Sequence, residues 1–187
     1  MTKKDIGAIV KTAVSLFLIC AVAAGLVAWV NSVTAGKITQ NAANEANTAK
    51  SAVLPAAESF ADVTLADGSV GWEGRSAAGE TVGYVFSTAA SGYGGKLEVM
   101  TGFDTAGTVT GVRILSISET PGLGMNAQRE SWLDQFTGTA GALEVTKGTA
   151  GENQIAAITS ATITSRAMVK AVNAARAYFN ETAGKGE

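Results

Sequence analysis

From Thr12 to Gly36 the chain carries no charged residue, and Val14 to Val30 (VSLFLICAVAAGLVAWV) is almost wholly apolar. The hydrocarbon core of a bilayer is about 30 Å thick and takes about 20 helical residues to cross. Inside it every backbone N–H and C=O must be satisfied within the segment, so a single run of this kind can only be a helix. Trp29 stands near the far end, where an amphipathic ring suits the headgroup region. Lys3, Lys4 and Lys11 precede the run, against Lys37 alone just beyond it. The positive-inside rule then predicts a cytoplasmic segment 1–11, a single membrane helix over 12–34 in the cell membrane, and everything after it outside the cytoplasm. Val33-Thr34-Ala35 loosely resembles a signal-peptide cleavage site. The apolar run is longer than the roughly 7–15 residues of a signal peptide, which favours an anchor. Cys20, within the span, reads as a small packing residue. Ala21, Ala23, Ala24, Gly25 and Ala28 would let another helix approach closely.

The rest of the composition mainly excludes. Of 187 residues Cys20 is the one cysteine, so no intrachain disulfide or thiolate cluster can form. Histidine is absent, which removes His-ligated zinc, His-ligated haem and every His-based nucleophile system. Redox or acid–base work must rest on an organic cofactor or on carboxylates. A net charge of −2 gives no reason to expect nucleic acid as a partner.

Beyond the span, residues 35–62 are Ala-rich with polar spacing and read as a helical stalk, broken or restarted at Pro55. In the remaining domain, 63–187, the period changes. Thr81–Ala89, Lys96–Phe103 and Thr108–Ile117 alternate as strands, with turns at 91–95 and 104–107, which is an antiparallel meander. An amphipathic helix is expected over Gln128–Phe136, and short strands over Leu143–Thr146 and Gln154–Ile158. Ile163–Asn180 places apolar or small residues at 163, 167, 168, 171, 172, 175 and 179, the spacing of a packed helix face. The expected class is α+β: an N-terminal transmembrane helix followed by a small antiparallel sheet packed with helices.

Two loops could carry chemistry. In Glu119-Thr120-Pro121-Gly122-Leu123-Gly124 the glycines allow positive φ and close backbone approach to a flat or anionic ligand, although the same residues also make a plain tight turn. In Thr159–Ser165 (TSATITS) five hydroxyl side chains crowd a strand-to-helix junction. A helix start offers free N–H donors and a partial positive charge that would favour a phosphate, while an ordinary N-cap would use only part of this set.

The single span, Gly92-Tyr93-Gly94-Gly95, Glu119–Gly124, Lys147-Gly148 and Ser160-Ala161-Thr162-Ile163-Thr164-Ser165 occur in that order over residues 1 to about 180. Together they resemble the FMN-binding domain family. Within it they are similar to the G subunits of Rnf ion-translocating complexes, with the C subunits of sodium-pumping NADH:quinone reductases as near relatives. The resemblance implies that a flavin transferase joins FMN by a phosphoester to Thr162, the last residue of the Ser160-Ala161-Thr162 triplet. It implies further phosphate bonds from Thr164 and Ser165, a ring flanked by Glu119, Thr120, Gly122, Leu123 and Gly124, and a basic residue at Lys147 to balance charge. Ser160 stands where the family commonly has Gly, Ala156 and Ala157 where an acidic residue is frequent, and Ile117 where a His is frequent.

The function implied is an electron relay without a substrate of its own. It would sit among other membrane subunits of a complex that moves electrons between ferredoxin and NAD and couples this to Na⁺ or H⁺ transport. Rivals are the quinone-reductase subunit, a flavin-free membrane-tethered binding or scaffold domain, and a Ser/Thr hydrolase using Lys147 as base, which the lack of His disfavours.

Overall fold

The computed structural model describes residues 3–184. The chain divides into two compact units, Met1–Asn44 and Glu45–Glu187. The first unit is helix throughout its described residues, the opening part of α1 (Lys3–Val53). Within α1, Ala13–Ile38 is long and apolar enough to cross a membrane. Its large side chains, among them Phe17, Ile19, Val22, Val27 and Trp29, are exposed. A helix apolar on all sides is the kind that lipid solvates. The hydroxyls of Ser15, Ser32 and Thr34 donate back to Lys11 O, Trp29 O and Val30 O at 2.8–2.9 Å, so they add little polarity to that surface.

The second unit is built on one sheet. β1 (Ser59–Thr64), β2 (Val70–Arg75), β3 (Thr81–Ser91), β4 (Lys96–Asp104) and β5 (Val109–Ser116) lie in sequence order, each antiparallel to the next. The β4–β5 turn is closed by Asp104, whose carboxylate accepts the N–H groups of Ala106 and Thr108 at 2.9 and 2.8 Å. Because strand side chains alternate between faces, the neighbours Val85 and Phe86 enter different cores. Phe86, Leu97, Val99 and Phe103 pack with Met168, Ala171, Val172 and Phe179 of α3 (Thr162–Ala183). Val85 and Met100 pack instead with Ala49, Val53, Leu54 and Ala57, the end of α1 and the turn after it. The approach there is close. A Cβ on Gly102 would stand 2.3 Å from Val53 O, which also accepts the Thr110 hydroxyl. Lys50 lies 4.7 Å from the Trp72 ring centroid and 5.7 Å from that of Phe60.

Arg176 of α3 is buried with no carboxylate in salt-bridge reach among the described residues. It donates to Gly107 O (2.8 Å), Ala140 O (3.1 Å) and Thr139 O (3.2 Å) over the face of Phe103, and burial lowers its pKa.

The α+β class and the antiparallel meander are as the sequence implies, with two differences. The stalk expected over 35–62 stays helical only to Val53, and Ser59–Thr64 is a strand. Leu54-Pro55 leaves the helix through a turn closed by Ala57 N–H to Leu54 O, and β1 and β2 follow. The expected helix over Gln128–Phe136 is a 3₁₀ turn (Gly124–Gln128), the four-residue α2 (Glu130–Leu133) and a second 3₁₀ turn (Asp134–Phe136), because Arg129 takes an extended conformation. β6 (Glu144–Thr146) and β7 (Gln154–Ala156) pair in parallel.

Candidate functional site

α3 opens the site. β7 delivers the chain to it and is fixed by side chains on both backbone groups of Ala156: Trp132 Nε1–H donates to its carbonyl and Gln135 Oε1 accepts its N–H, both at 2.8 Å. Ser160 then takes φ +63°, a left-handed conformation that turns the chain sharply into α3. The first helical bond runs from Ser165 N–H to Ala161 O, so the N–H groups of Thr162, Ile163 and Thr164 have no acceptor within the helix. No side chain caps this end. A 22-residue helix therefore begins with open donors and the positive end of its dipole beside the half-buried Thr162.

These groups face a cleft of about 450 Å³. One wall is Ser160, Ala161, Thr162, Ile163 and Thr164; the other is Glu119, Thr120, Leu123 and Gly124, and Tyr93 also lines the cavity. The fold thus brings the two singled-out loops to one cavity, although some forty residues separate them. Close approach of the walls depends on glycine: a Cβ on Gly124 would meet Glu119 Oε2 and Thr164 Oγ1, each at 2.7 Å. The Glu119 carboxylate accepts the N–H of Tyr93 at 2.7 Å and of Gly94 at 3.3 Å, joining the Gly92–Gly95 turn to the wall.

Three residues named from the sequence lie elsewhere. Ser165 is fully buried, and its hydroxyl donates to Ala161 O (3.1 Å) and accepts the Ile158 N–H (3.0 Å). It braces the junction and is turned away from the phosphate expected beside it. Gly122 (φ +77°) makes the turn beside the cleft, where its carbonyl accepts Asn126 Nδ2–H at 2.8 Å. Lys147 is exposed just after β6, outside the cavity lining. Ile163, expected on the packed face of the helix, is 53% exposed and lines the cleft instead. In the sequence Tyr93 reads only as part of a turn. Its signal is an aromatic side chain set among three glycines, a poor residue for a turn without a role.

The donor set fits a phosphate on a flat ring. Open N–H groups and the Thr162 and Thr164 hydroxyls suit the phosphate, and Leu123, Ile163 and Tyr93 suit the ring. Among the described residues no cluster of His, Cys, Asp and Glu could hold a metal ion.

Known proteins resemble this chain in sequence and in fold. Residues 92–177 match the FMN-binding domain family and residues 1–52 the RnfG N-terminal region. The chain is similar to a crystal structure of NqrC from Shewanella oneidensis, with a TM-score of 0.53 and 18% identity over 64% of this chain and 65% of that one. That likeness, just under two thirds of the solved chain, shows the fold alone. Over residues 92–177 the chain has the sequence pattern of an FMN-binding domain. The G subunit of the Na⁺-translocating ferredoxin:NAD⁺ oxidoreductase complex of Acetobacterium woodii is 41% identical over 183 residues, 87% of either chain. The G subunit of the proton-translocating ferredoxin:NAD⁺ oxidoreductase complex of Clostridium ljungdahlii is 32% identical over 92% of either chain. The chain belongs to the family of G subunits of ion-translocating oxidoreductase complexes.

Proposed function

We propose that this chain is a membrane-tethered electron carrier within such a complex, with FMN held by a phosphoester to Thr162. It relays electrons between neighbouring membrane subunits as the complex moves them between ferredoxin and NAD and couples that flow to Na⁺ or H⁺ transport. The observation that carries the reading is Thr162 itself, a hydroxyl in a cleft wall at the first position of an uncapped 22-residue helix. An anion at such a helix start is stabilised by about 0.3–1 kcal/mol, and by up to about 2 kcal/mol where partly buried.

FMN, when bound, supplies the redox chemistry. The chain's part is to position and shield it. The N–H groups of Ile163 and Thr164 and the Thr164 hydroxyl, at the helix start, would hold its phosphate. Leu123 and Ile163 would offer apolar contact to its ring and exclude water there. A flavin transferase makes the attachment, and a covalent link outside the cytoplasm prevents loss of the flavin. The helix Ala13–Ile38 supplies the tether, with the N-terminus in the cytoplasm.

Expression with and without a flavin transferase, read by intact mass and in-gel fluorescence, tests this. Wild type gains one FMN only with the transferase, Thr162→Ala never gains it, and Thr164→Ala still does. Absence of the adduct in wild type refutes covalent FMN; its loss in Thr164→Ala alone moves the attachment to that hydroxyl. A reporter fused after Glu187 is active only outside the cytoplasm if the orientation is right.

A further inference from the structure

We infer that Glu119 is a positioning residue whose carboxylate clasps the Gly92–Gly95 turn and so holds the Tyr93 ring over the mouth of the cleft, as a cover for the ligand inside. This rests on the FMN reading above and adds to it a residue that closes the site and another that sets the first in place.

The first observation is where apolar surface is exposed. Beyond α1, the exposed large hydrophobic side chains among the described residues are Val70, Tyr93, Leu123 and Ile163, and the last three line the cleft. Apolar side chains gathered on one feature of a surface mark a place where something apolar sits against them. Tyr93 is the most open of the set at 73% exposed, and it is the one aromatic ring in the cavity lining.

The second observation is how that ring is held. A turn with Gly92, Gly94 and Gly95 around Tyr93 has little stiffness of its own beyond the Gly92 N–H to Gly95 O bond at 2.8 Å. Glu119 supplies the rest: Oε1 accepts the Tyr93 N–H and Oε2 the Gly94 N–H. The surroundings are shaped to admit that carboxylate. A Cβ on Gly92 would collide with Oε1 and one on Gly124 would stand 2.7 Å from Oε2, while one on Gly94 would meet the Ser118 backbone carbonyl, so the turn also abuts the backbone before Glu119. The salt bridges among the described residues are Arg75–Glu73 and Arg113–Glu130, so the Glu119 charge is met by backbone donors and not by a cation. A carboxylate held in this way fixes a backbone, and the side chain that backbone presents is Tyr93.

The test uses the full chain in detergent, loaded with FMN by the transferase, and reads flavin access to a soluble quencher, iodide, from Stern–Volmer slopes. Tyr93→Ala is expected to raise the slope several-fold, whereas Tyr93→Phe, which keeps the ring, leaves it near wild type. Glu119→Ala is expected to raise it as Tyr93→Ala does, and the double variant to rise no further, because the carboxylate acts through the ring. Gly92→Ala, whose new methyl would push the carboxylate out, should give the same rise with Glu119 intact and covers the case in which Glu119→Ala does not fold. Full additivity in the double variant, or a wild-type slope in Tyr93→Ala or in both Glu119→Ala and Gly92→Ala, overturns the inference while FMN loading stands. Failure of wild type to load overturns the flavin reading, and this inference with it.

Discussion

Replacing Arg176 by Met removes a guanidinium that holds three backbone carbonyls and leaves a side chain of comparable length. The three bonds, at 2.8, 3.1 and 3.2 Å, end on Gly107, Ala140 and Thr139, two loops distant in sequence from α3. A hydrogen bond from a charged donor contributes about 1.5–3 kcal/mol, and a carbonyl left buried without a partner costs about 1–3 kcal/mol. Against this, Met no longer carries a charge away from water, a relief of several kcal/mol that offsets part of the loss. Only Gly107 of the three carbonyl residues is buried, so water can reach the other two once the guanidinium is gone. The net expectation is a loss of about 3 kcal/mol, which lowers the Tm of a domain this size by about 10 °C. Near-UV circular dichroism of the full chain in detergent, followed on heating and in denaturant, measures it. Arg176→Lys should lose nearly as much, since one ammonium cannot span three acceptors. Stability of Arg176→Met within about 0.5 kcal/mol of wild type would refute the argument, because burial of the charge would then cancel all that its bonds provide.

Three further outcomes follow from the same geometry. Gly102→Ala drives a methyl into the Val53 carbonyl, a backbone atom that cannot swing aside, and should cost about 3 kcal/mol in chemical denaturation. Gly148→Ala, with open space around it, is the neutral control. Ser160→Gly relieves about 1–2 kcal/mol of left-handed strain, offset by about 0.4–1 kcal/mol of added unfolded-state entropy, so a gain of about 0.5 kcal/mol with full FMN loading is expected. Asp67 accepts bonds from the Ser69 hydroxyl, the Tyr178 hydroxyl and the Ser69 N–H, and its pKa falls from 3.8 to about 2. A carboxyl depressed by folding stabilises above its unfolded pKa, so its contribution is lost as pH falls from 3.8 to about 2. Asp67→Asn should flatten the acid side of the stability curve across that window; an unchanged slope would show that Asp67 does not contribute.

What the sequence made legible was whatever has a period or a fixed partner nearby. β3, β4 and β5 run for eight or more residues each and join through short glycine-containing turns, so length and turn signals place them although burial alternates only in part. β1 and β2 are hidden in the sequence. Ala56, Ala57 and Ala61 imitate a helix around β1, and in both strands burial follows no strict alternation. Their partners decide them, since Phe60 and Trp72 pack with the end of α1. In the cleft, the loop at Glu119–Gly124 and the junction at Thr162 each carry a local signature, whereas Tyr93 joins them only through a hydrogen bond across twenty-six residues. Ser165 shows the reverse error, where a run of hydroxyls hides that one of them points into the fold.

The last turns of α1 have a practical consequence for anyone wishing to separate the sheet-containing unit from the apolar helix before it. Ala49, Val53 and Leu54 are buried against Val85 and Met100, and the Thr110 hydroxyl is bonded to Val53 O. A fragment that starts at the first strand would therefore lack one wall of its own core, and a protease cutting between 50 and 58 would open the sheet and release no intact module. The workable border lies upstream, at Glu45, where the second compact unit begins.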